Sequence, residues 1–425
     1  MQKVLIITYY WPPAGGPGVQ RWLKMSKYLP DNNVQPIVVT VDPEYASYPI
    51  TDDSLLKDIP SDIRIERTKS FEILNLYSSL TKKQAPTSGF ANEEGKLGVK
   101  DKVFRFIRGN VFLPDARKGW NRYAYERCVN IIKHEEITGI ITTGPPHSTH
   151  LIGKKLKSSF PNLIWLADFR DPWTDIFYNE SLHQTALARK VELHMEKSVL
   201  KSADHVTVMG MRTAKSFALR AGKEDNIHFL PNGFDPADFP TNHIETKEDV
   251  FRILYVGTAT KDYPVAAFFS AMSKLPDPLR EKLKIEFVGK VDTAIRNMAT
   301  KFAAQLDIVF TQYIPHAEVP QKLFSSDVLL LLIPGQLNNE AIIPGKLFEY
   351  MASKRPVMGI GPENGDSAQL ITEAGVGGMF SPENHKGMID FAHSVATHQY
   401  EYKGRIAPFS REKQAAFVAN FFSKV

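Results

Sequence analysis

The sequence predicts an α/β protein of two doubly wound domains, and three observations carry that prediction. Apolar and β-branched runs recur at residues 4–7, 137–143, 163–167, 253–256 and 328–333. Strands buried on both faces read this way, and such strands belong to parallel sheets covered by helices. Stretches of helical periodicity separate the runs, as βαβ connectivity requires. The order strand, glycine turn, helix occurs twice, from Val4 and again from Phe251, so the opening of a Rossmann-like domain is repeated.

The elements follow in order. A first strand over residues 4–8 enters a glycine- and proline-rich turn at residues 12–18. A helix begins near Val19 and is ended by Pro30, and residues 36–41 form the next strand. Further strands are expected at 137–143, 163–167 and 205–209, with helices at 122–134 and 185–201. The second domain opens with a strand over 251–257 and a helix over 264–274, and strands follow at 284–288, 308–311, 328–333 and 356–359. Residues 231–249 are rich in Pro, Asn, Asp and Thr and read as the linker. The domains are therefore expected at 1–235 and 236–410. Residues 411–425 should form a helix crossing back onto the first domain, with Ala415, Phe417, Val418, Phe421 and Phe422 at helical spacing. A ligand is expected in a cleft between the two sheets, at their carboxyl edges.

Composition narrows the function classes. A chain of 425 residues with 43% hydrophobic and 11% aromatic content can bury a core and is not disordered. No apolar run approaches the roughly 18 residues of a membrane helix. Met1-Gln2-Lys3 leads into a strand-like run rather than a signal peptide, so export is not expected. The charge balance, 52 Lys+Arg against 47 Asp+Glu, is too weak for a nucleic-acid protein. Cys128 stands alone, which excludes an intramolecular disulfide and fits a reducing cytosol.

Several segments can carry chemistry. Gly15 and Gly16 lie in the turn between the first strand and helix, where bare backbone and a helix amino end favour a phosphate or substrate; a plain tight turn is the alternative. In Ile342-Ile343-Pro344-Gly345-Lys346-Leu347-Phe348-Glu349-Tyr350-Met351, Pro344 suits the first helical position and Gly345 permits close approach. Lys346 and Glu349 share a helix face, offering a cation to a pyrophosphate and a carboxylate to ribose hydroxyls, or forming an ordinary surface ion pair. His147 follows a strand directly and can bond a sugar hydroxyl or a pyrophosphate oxygen; the alternative is a solvent-facing histidine beside a Ser148 cap. Asp168, Arg170 and Asp171 follow another strand. Either Asp168 or Asp171 orients an acceptor hydroxyl or takes its proton, with Trp173 as a sugar-stacking face, or the group is a structural ion-pair cluster. Asp52-Asp53 reads as a solvated turn, and no metal site is predicted. Val99, Val103, Phe106 and Ile107 form an apolar stripe opposite Lys102, Arg105 and Arg108, suited to packing on a sheet or to lying on an anionic membrane.

Taken together these segments resemble a known family. Residues 344–352 followed by Lys354-Arg355-Pro356-Val357 resemble the donor-binding segment of family-4, retaining GT-B glycosyltransferases. Pro231-Asn232-Gly233-Phe234-Asp235 is similar to their interdomain element, Gly15-Gly16 to their first-loop glycine pair, and residues 165–173 to a stretch of a bacterial subset. The resemblance implies a GT-B fold, with a nucleotide-diphosphate sugar on the second domain and a saccharide or lipid-linked acceptor on the first. Glu349 would hold the ribose, and Lys346 with Lys261 would lie near the phosphates. It further implies a cytoplasmic enzyme of polysaccharide or lipopolysaccharide synthesis, with weak peripheral membrane contact and neither cofactor nor essential metal. Two positions depart from the pattern: Thr258 stands where an arginine is usual, and Ala341 where the first of two glutamates is usual. Two rivals share the architecture, a nucleotide-sugar 2-epimerase and a non-catalytic sugar-nucleotide or glycan-binding protein.

Overall fold

The computed structural model describes residues 1–72, 106–175, 183–239, 249–315 and 318–423. The chain divides into two compact units, Met1–Pro231 with Arg411–Val425, and Asn232–Ser410. The change of unit falls within the Pro231-Asn232-Gly233 segment itself.

Among the described residues, the first unit contains the strands β1 (Gln2–Ile7), β2 (Val34–Val41), β3 (Arg64–Thr68), β4 (Ile137–Gly144), β5 (Ile164–Phe169), β6 (His205–Val208) and β7 (Ile227–Phe229). They form one parallel sheet in the order β3-β2-β1-β4-β5-β6-β7. Strand order reverses between β1 and β4, so the loops following these two strands flank the topological switch point, where open α/β sheets take their ligands. The missing polar alternation has a direct cause. Leu5, Ile7, Ile140 and Trp165 enter the core on one face, and Val4, Ile6, Ile141 and Leu166 enter that on the other. Helices α1 (Pro17–Ser26), α2 (Asn121–His134), α3 (Ser148–Ser159), α4 (Ala186–Ser202) and α5 (Met211–Ala221) cover the sheet. Helix α1 begins two residues earlier than expected because its first position accepts a proline. The C-terminal helix, Arg411–Ala419, belongs to this unit and buries Ala415, Val418 and, just beyond it, Phe422.

The second unit contains β8 (Phe251–Val256), β9 (Leu283–Val288), β10 (Asp307–Thr311), β11 (Val328–Leu332), β12 (Val357–Ile360) and β13 (Gly377–Phe380). These are parallel in the order β10-β9-β8-β11-β12-β13, with the switch point between β8 and β11. Its helices include α6 (Val265–Met272), α7 (Thr293–Ala299), α8 (Val319–Phe324), α9 (Lys346–Ala352), α10 (Asp366–Ala374) and α11 (His385–Ala396). Helix α9 starts at Lys346 rather than Pro344 and turns Leu347, Phe348, Tyr350 and Met351 into the core.

One buried ion pair fastens the first unit together. Asp168 on β5 and Arg21 on α1 both have fully buried side chains, 2.8 Å apart. Arg21 donates from Nε and Nη2 to both carboxylate oxygens. Trp22 Nε1 (2.7 Å), Thr143 Oγ1 (2.9 Å) and Thr207 Oγ1 (2.8 Å) donate to the same carboxylate. Arg21 also donates to the Leu230 and Pro231 carbonyls, and Gln414 of the C-terminal helix shares the latter. Burial pushes the Asp168 carboxyl up, but Arg21 and the donated hydrogen bonds more than offset it and hold it below its ordinary value. Asp168→Asn should therefore lower unfolding free energy by about 3–5 kcal/mol, because it leaves the guanidinium buried without its counter-charge. Urea titration checks this. The carboxylate's contribution should be present above the ordinary aspartate range and disappear as pH falls through its depressed folded value.

The stripe at Val99, Val103, Phe106 and Ile107 lies largely outside the described residues. Phe106 and Ile107 are described and are exposed.

Candidate functional site

In the second unit the chemistry gathers where β8 and β11 part. Lys346, the first residue of α9, reaches back to β8, where its Nζ donates to Tyr255 Oη at 2.8 Å and lies 4.1 Å from the centre of the tyrosine ring. The Tyr255 hydroxyl in turn donates a hydrogen bond to the Thr258 carbonyl at 2.6 Å. Tyr350, one turn along α9, accepts the Val256 N–H at 3.0 Å and ties the helix to the end of β8. Lys346 therefore sits on the backbone of the turn that follows β8. Gly257 has φ +126°, a conformation that favours glycine, and a Cβ there would stand 2.7 Å from Lys346 Nζ and push the ammonium aside.

Lys346 has no ion pair among the described residues. Burial lowers its pKa to about 8, and the Glu349 carboxylate three residues on partly counters that shift. A half-desolvated ammonium without a hydrogen-bonded carboxylate interacts strongly with an incoming anion. Pro344 and Gly345 form the bend before α9, with Gly345 exposed, and Lys261 stands exposed on the turn after β8. Pro344, Gly345, Lys346 and Glu349 thus lie on the bend and first turn of α9, in the connection after β11, and Lys261 lies on the turn after β8; Lys346 is the one of them that reaches across, to Tyr255. Tyr255 was missed in the sequence reading. It is an ordinary strand tyrosine until the fold brings Lys346 over it.

In the first unit the matching loops carry Gly15-Gly16 after β1 and His147 after β4. Gly15 donates its N–H to the Ile50 carbonyl at 2.9 Å, and Gly16 has φ +96° in open space. His147 is not the solvent-facing residue of the alternative reading. It is 7% exposed, its ring stacks on Trp173 at 5.2 Å and 6°, and neither ring nitrogen has a hydrogen-bond partner. Burial, and then His150 and Arg170, push its pKa well below the ordinary histidine value, so it is neutral. Ser148 is no cap either: its N–H and Oγ both donate to Asp115, at 2.8 Å.

Two expectations are corrected here. Asp168 cannot take an acceptor's proton, because both its oxygens are occupied by Arg21, Trp22, Thr143 and Thr207; it is scaffold, as the ion-pair reading had it. Trp173 offers no open stacking face, being 2% exposed with His147 against its ring. Asp171 differs from Asp168. It makes no hydrogen bond among the described residues, and burial raises its pKa against the opposing pull of Arg170. His150 was also missed, although it lies three residues from His147, in the first turn of α3. Its Nδ1 pairs with Thr142 Oγ1 at 2.9 Å, and Thr142 accepts from Trp165 Nε1 at 2.9 Å. Among the described residues no three His, Cys, Asp or Glu side chains are grouped to hold a metal ion, and no helix is long and apolar enough to cross a membrane.

No protein-family model matches the sequence, and no curated protein matches it. Solved structures do match. A sucrose-phosphate synthase from Thermosynechococcus elongatus superposes with a TM-score of 0.61 at 14% identity, covering 99% of this chain and 98% of its own. The lipopolysaccharide outer core galactosyltransferase WaaB, in its apo form, gives 0.60 at 12% identity with both chains covered completely. A candidate UDP-N-acetylglucosamine 2-epimerase from Listeria monocytogenes gives 0.55 at 13%, covering 98% and 94%. The chain has the GT-B fold. Because this fold serves both transferases and an epimerase candidate, the fold alone does not select the reaction.

Gly257→Ala should destabilise the second unit by about 1–3 kcal/mol through its positive φ and push Lys346 Nζ off Tyr255. Urea unfolding checks the first effect. A shift in the tyrosine ultraviolet difference spectrum checks the second.

Proposed function

We propose that the chain is a retaining glycosyltransferase, moving a sugar from a nucleoside-diphosphate donor to a hydroxyl on a saccharide or lipid-linked acceptor. The observation that carries this reading is Lys346, a desolvated cation with no ion pair among the described residues, held over bare backbone at the switch point of the second sheet. A diphosphate supplies the missing charge. Glu349, one turn further along α9, would accept hydrogen bonds from ribose hydroxyls, and Lys261 adds a second cation on the facing turn.

In the reaction the bond from the sugar's anomeric carbon to the diphosphate oxygen breaks, and its electron pair stays on the diphosphate. The acceptor oxygen bonds to the same face of that carbon, and its proton passes to the departing diphosphate oxygen. Lys346 stabilises the charge that develops on the leaving group, which is the largest contribution to the rate. Asp171, its carboxylate free of hydrogen bonds, would orient the acceptor hydroxyl, and neutral His147 would bond a sugar hydroxyl. The first-loop glycines Gly15 and Gly16 would admit the ligand close to backbone. We further assign the enzyme to cell-surface polysaccharide or lipopolysaccharide synthesis in the cytoplasm. The exposed Phe106, Ile107, Val111 and Leu187 support weak contact with a membrane that holds the acceptor.

Thermal-shift screening against UDP-, GDP-, ADP- and dTDP-sugars identifies the donor, since a ligand stabilises the state it binds. Donor consumed only when acceptor is present supports transfer, and product with the donor's anomeric configuration supports retention. Turnover without acceptor would make the chain a 2-epimerase, binding without turnover a sugar-nucleotide-binding protein, and no binding would end the reading. Lys346→Met should weaken nucleoside-diphosphate binding by about 2 kcal/mol, roughly thirtyfold, as the loss of one charge-assisted contact. Lys346→Ala should lower turnover as well, whereas Glu349→Ala should act chiefly on nucleotide binding, both read by calorimetry and steady-state rates. Affinity should be nearly flat below the Lys346 pKa of about 8 and fall as pH rises past it, because the amine then has to gain a proton on binding. Calorimetry in buffers of different ionisation heat reads that proton uptake directly, and Lys346→Met should abolish it.

A further inference from the structure

An arginine keeps its charge at any working pH, whereas a lysine can lose its own. Lys346 therefore acts on an anion only while something keeps it protonated, and burial opposes that. Thr258, which stands where the resembled family usually has an arginine, offers its backbone instead. Its carbonyl accepts from the Tyr255 hydroxyl at 2.6 Å, and that bond spends the one proton the hydroxyl has. Toward Lys346 the tyrosine is left with a lone pair, 2.8 Å from Nζ, and with the electron-rich face of its ring, whose centre is 4.1 Å from Nζ. Both favour an ammonium over a neutral amine.

The tyrosine is held to this orientation. It is fully buried on β8, and burial raises its pKa, so the hydroxyl stays protonated and continues to donate to Thr258. Tyr350 ties the start of α9 to the Val256 N–H at 3.0 Å, which keeps the root of the Lys346 side chain close to the same strand. The ionisable groups that bear on the pair are Glu349 and Tyr350 from α9 and Tyr263 from the turn after β8. Lys261 and Asp262 lie exposed on that turn. Glu349 is the one anion acting on Lys346, and it favours the ammonium as Tyr255 does.

We propose that Tyr255 is a positioning residue, its hydroxyl and ring holding the Lys346 side chain as an ammonium over the turn after β8, ready for an anion. The role rests on the reading of Lys346 as the cation that meets the donor's diphosphate. The hold on its proton, however, belongs to the unliganded chain and is measured there.

The test follows the Lys346 side chain itself in the full chain. With lysine isotope-labelled at Cε, its NMR signal is assigned by its absence in Lys346→Met and should titrate at about pH 8 in the parent. Tyr255→Phe keeps the ring and loses the acceptor, so the midpoint should fall by about one pH unit, as for one hydrogen bond to a charged group. Tyr255→Leu removes the ring as well and should lower it by roughly two. An unmoved midpoint in Tyr255→Phe overturns the proposal whatever happens to stability, because a residue that only fills space would not set the proton affinity of Lys346. Should Tyr255→Phe fail to fold, a ring-fluorinated tyrosine preserves the packing and makes the hydroxyl a poorer acceptor; the midpoint should again fall, and an unmoved one again overturns the proposal. Calorimetry with UDP separates this role from the donor reading. In Tyr255→Phe the loss of affinity should grow with pH, small at pH 6 and about eightfold at pH 8.5, as a midpoint one unit lower requires. UDP binding with the same pH dependence in both chains removes the proposal and leaves the donor reading standing. A midpoint that falls in a chain that binds no UDP upholds the hold on Lys346 and removes the donor reading.

Discussion

The guanidinium of Arg21 on the carboxylate of Asp168 is the constraint from which the first unit's geometry follows. Two fully buried charges are tolerable only when their hydrogen bonds are nearly complete. Completing them takes Trp22 on α1, Thr143 on β4, Thr207 on β6, and the carbonyls of Leu230 and Pro231. The pair therefore fixes the first helix against three adjoining strand ends and holds the last residues before the chain enters its second unit. Gln414 brings the C-terminal helix to the same carbonyl. By consuming Asp168, the pair leaves Arg170 and Asp171, the next charged residues along the chain, without that carboxylate for a partner.

The two sheets repeat one electrostatic device. Each carries, close to the point where strand order reverses, a largely buried cation with no ion pair among the described residues: Arg170, which follows β5 and bonds the end of β4, in the first unit and Lys346 in the second. Each is packed against a glycine that could not carry a side chain without moving it, Gly18 and Gly257. Structural cations normally keep a carboxylate, as Arg220 does with Glu196 at 2.5 Å. Neutral histidine is part of the same economy of charge. Burial first, and the positive charge of Arg170 with it, disfavour protonation of His147, and His150, with its pKa at about 3, is likewise neutral, so that loop offers polarity without another positive charge.

How far the sequence could be read depended on the range of the interaction concerned. Runs such as Val328-Leu329-Leu330-Leu331-Leu332 disclose parallel strands because burial on both faces is recorded residue by residue. Glycine turns after β1 and β8 and the Pro344-Gly345 bend are likewise local statements about backbone. The separation of Asp168 from Asp171 was not legible. Three residues apart, they differ in that Arg21, 147 positions away in sequence, reaches one of them, together with Trp22, Thr143 and Thr207. Trp173 read as a stacking face for the same reason, since the partner that covers it, His147, comes from another strand end.

The sequence by itself determined the strand and helix order, the doubly wound character of both units and the list of residues able to carry charge or polarity at the strand ends. Those properties arise from periodicity and backbone preference, which act over a few residues. Tertiary structure alone decided which charges are spent on one another and which are left unpaired. That choice depends on desolvation and on contacts between distant segments, and neither exists until the sheets have formed.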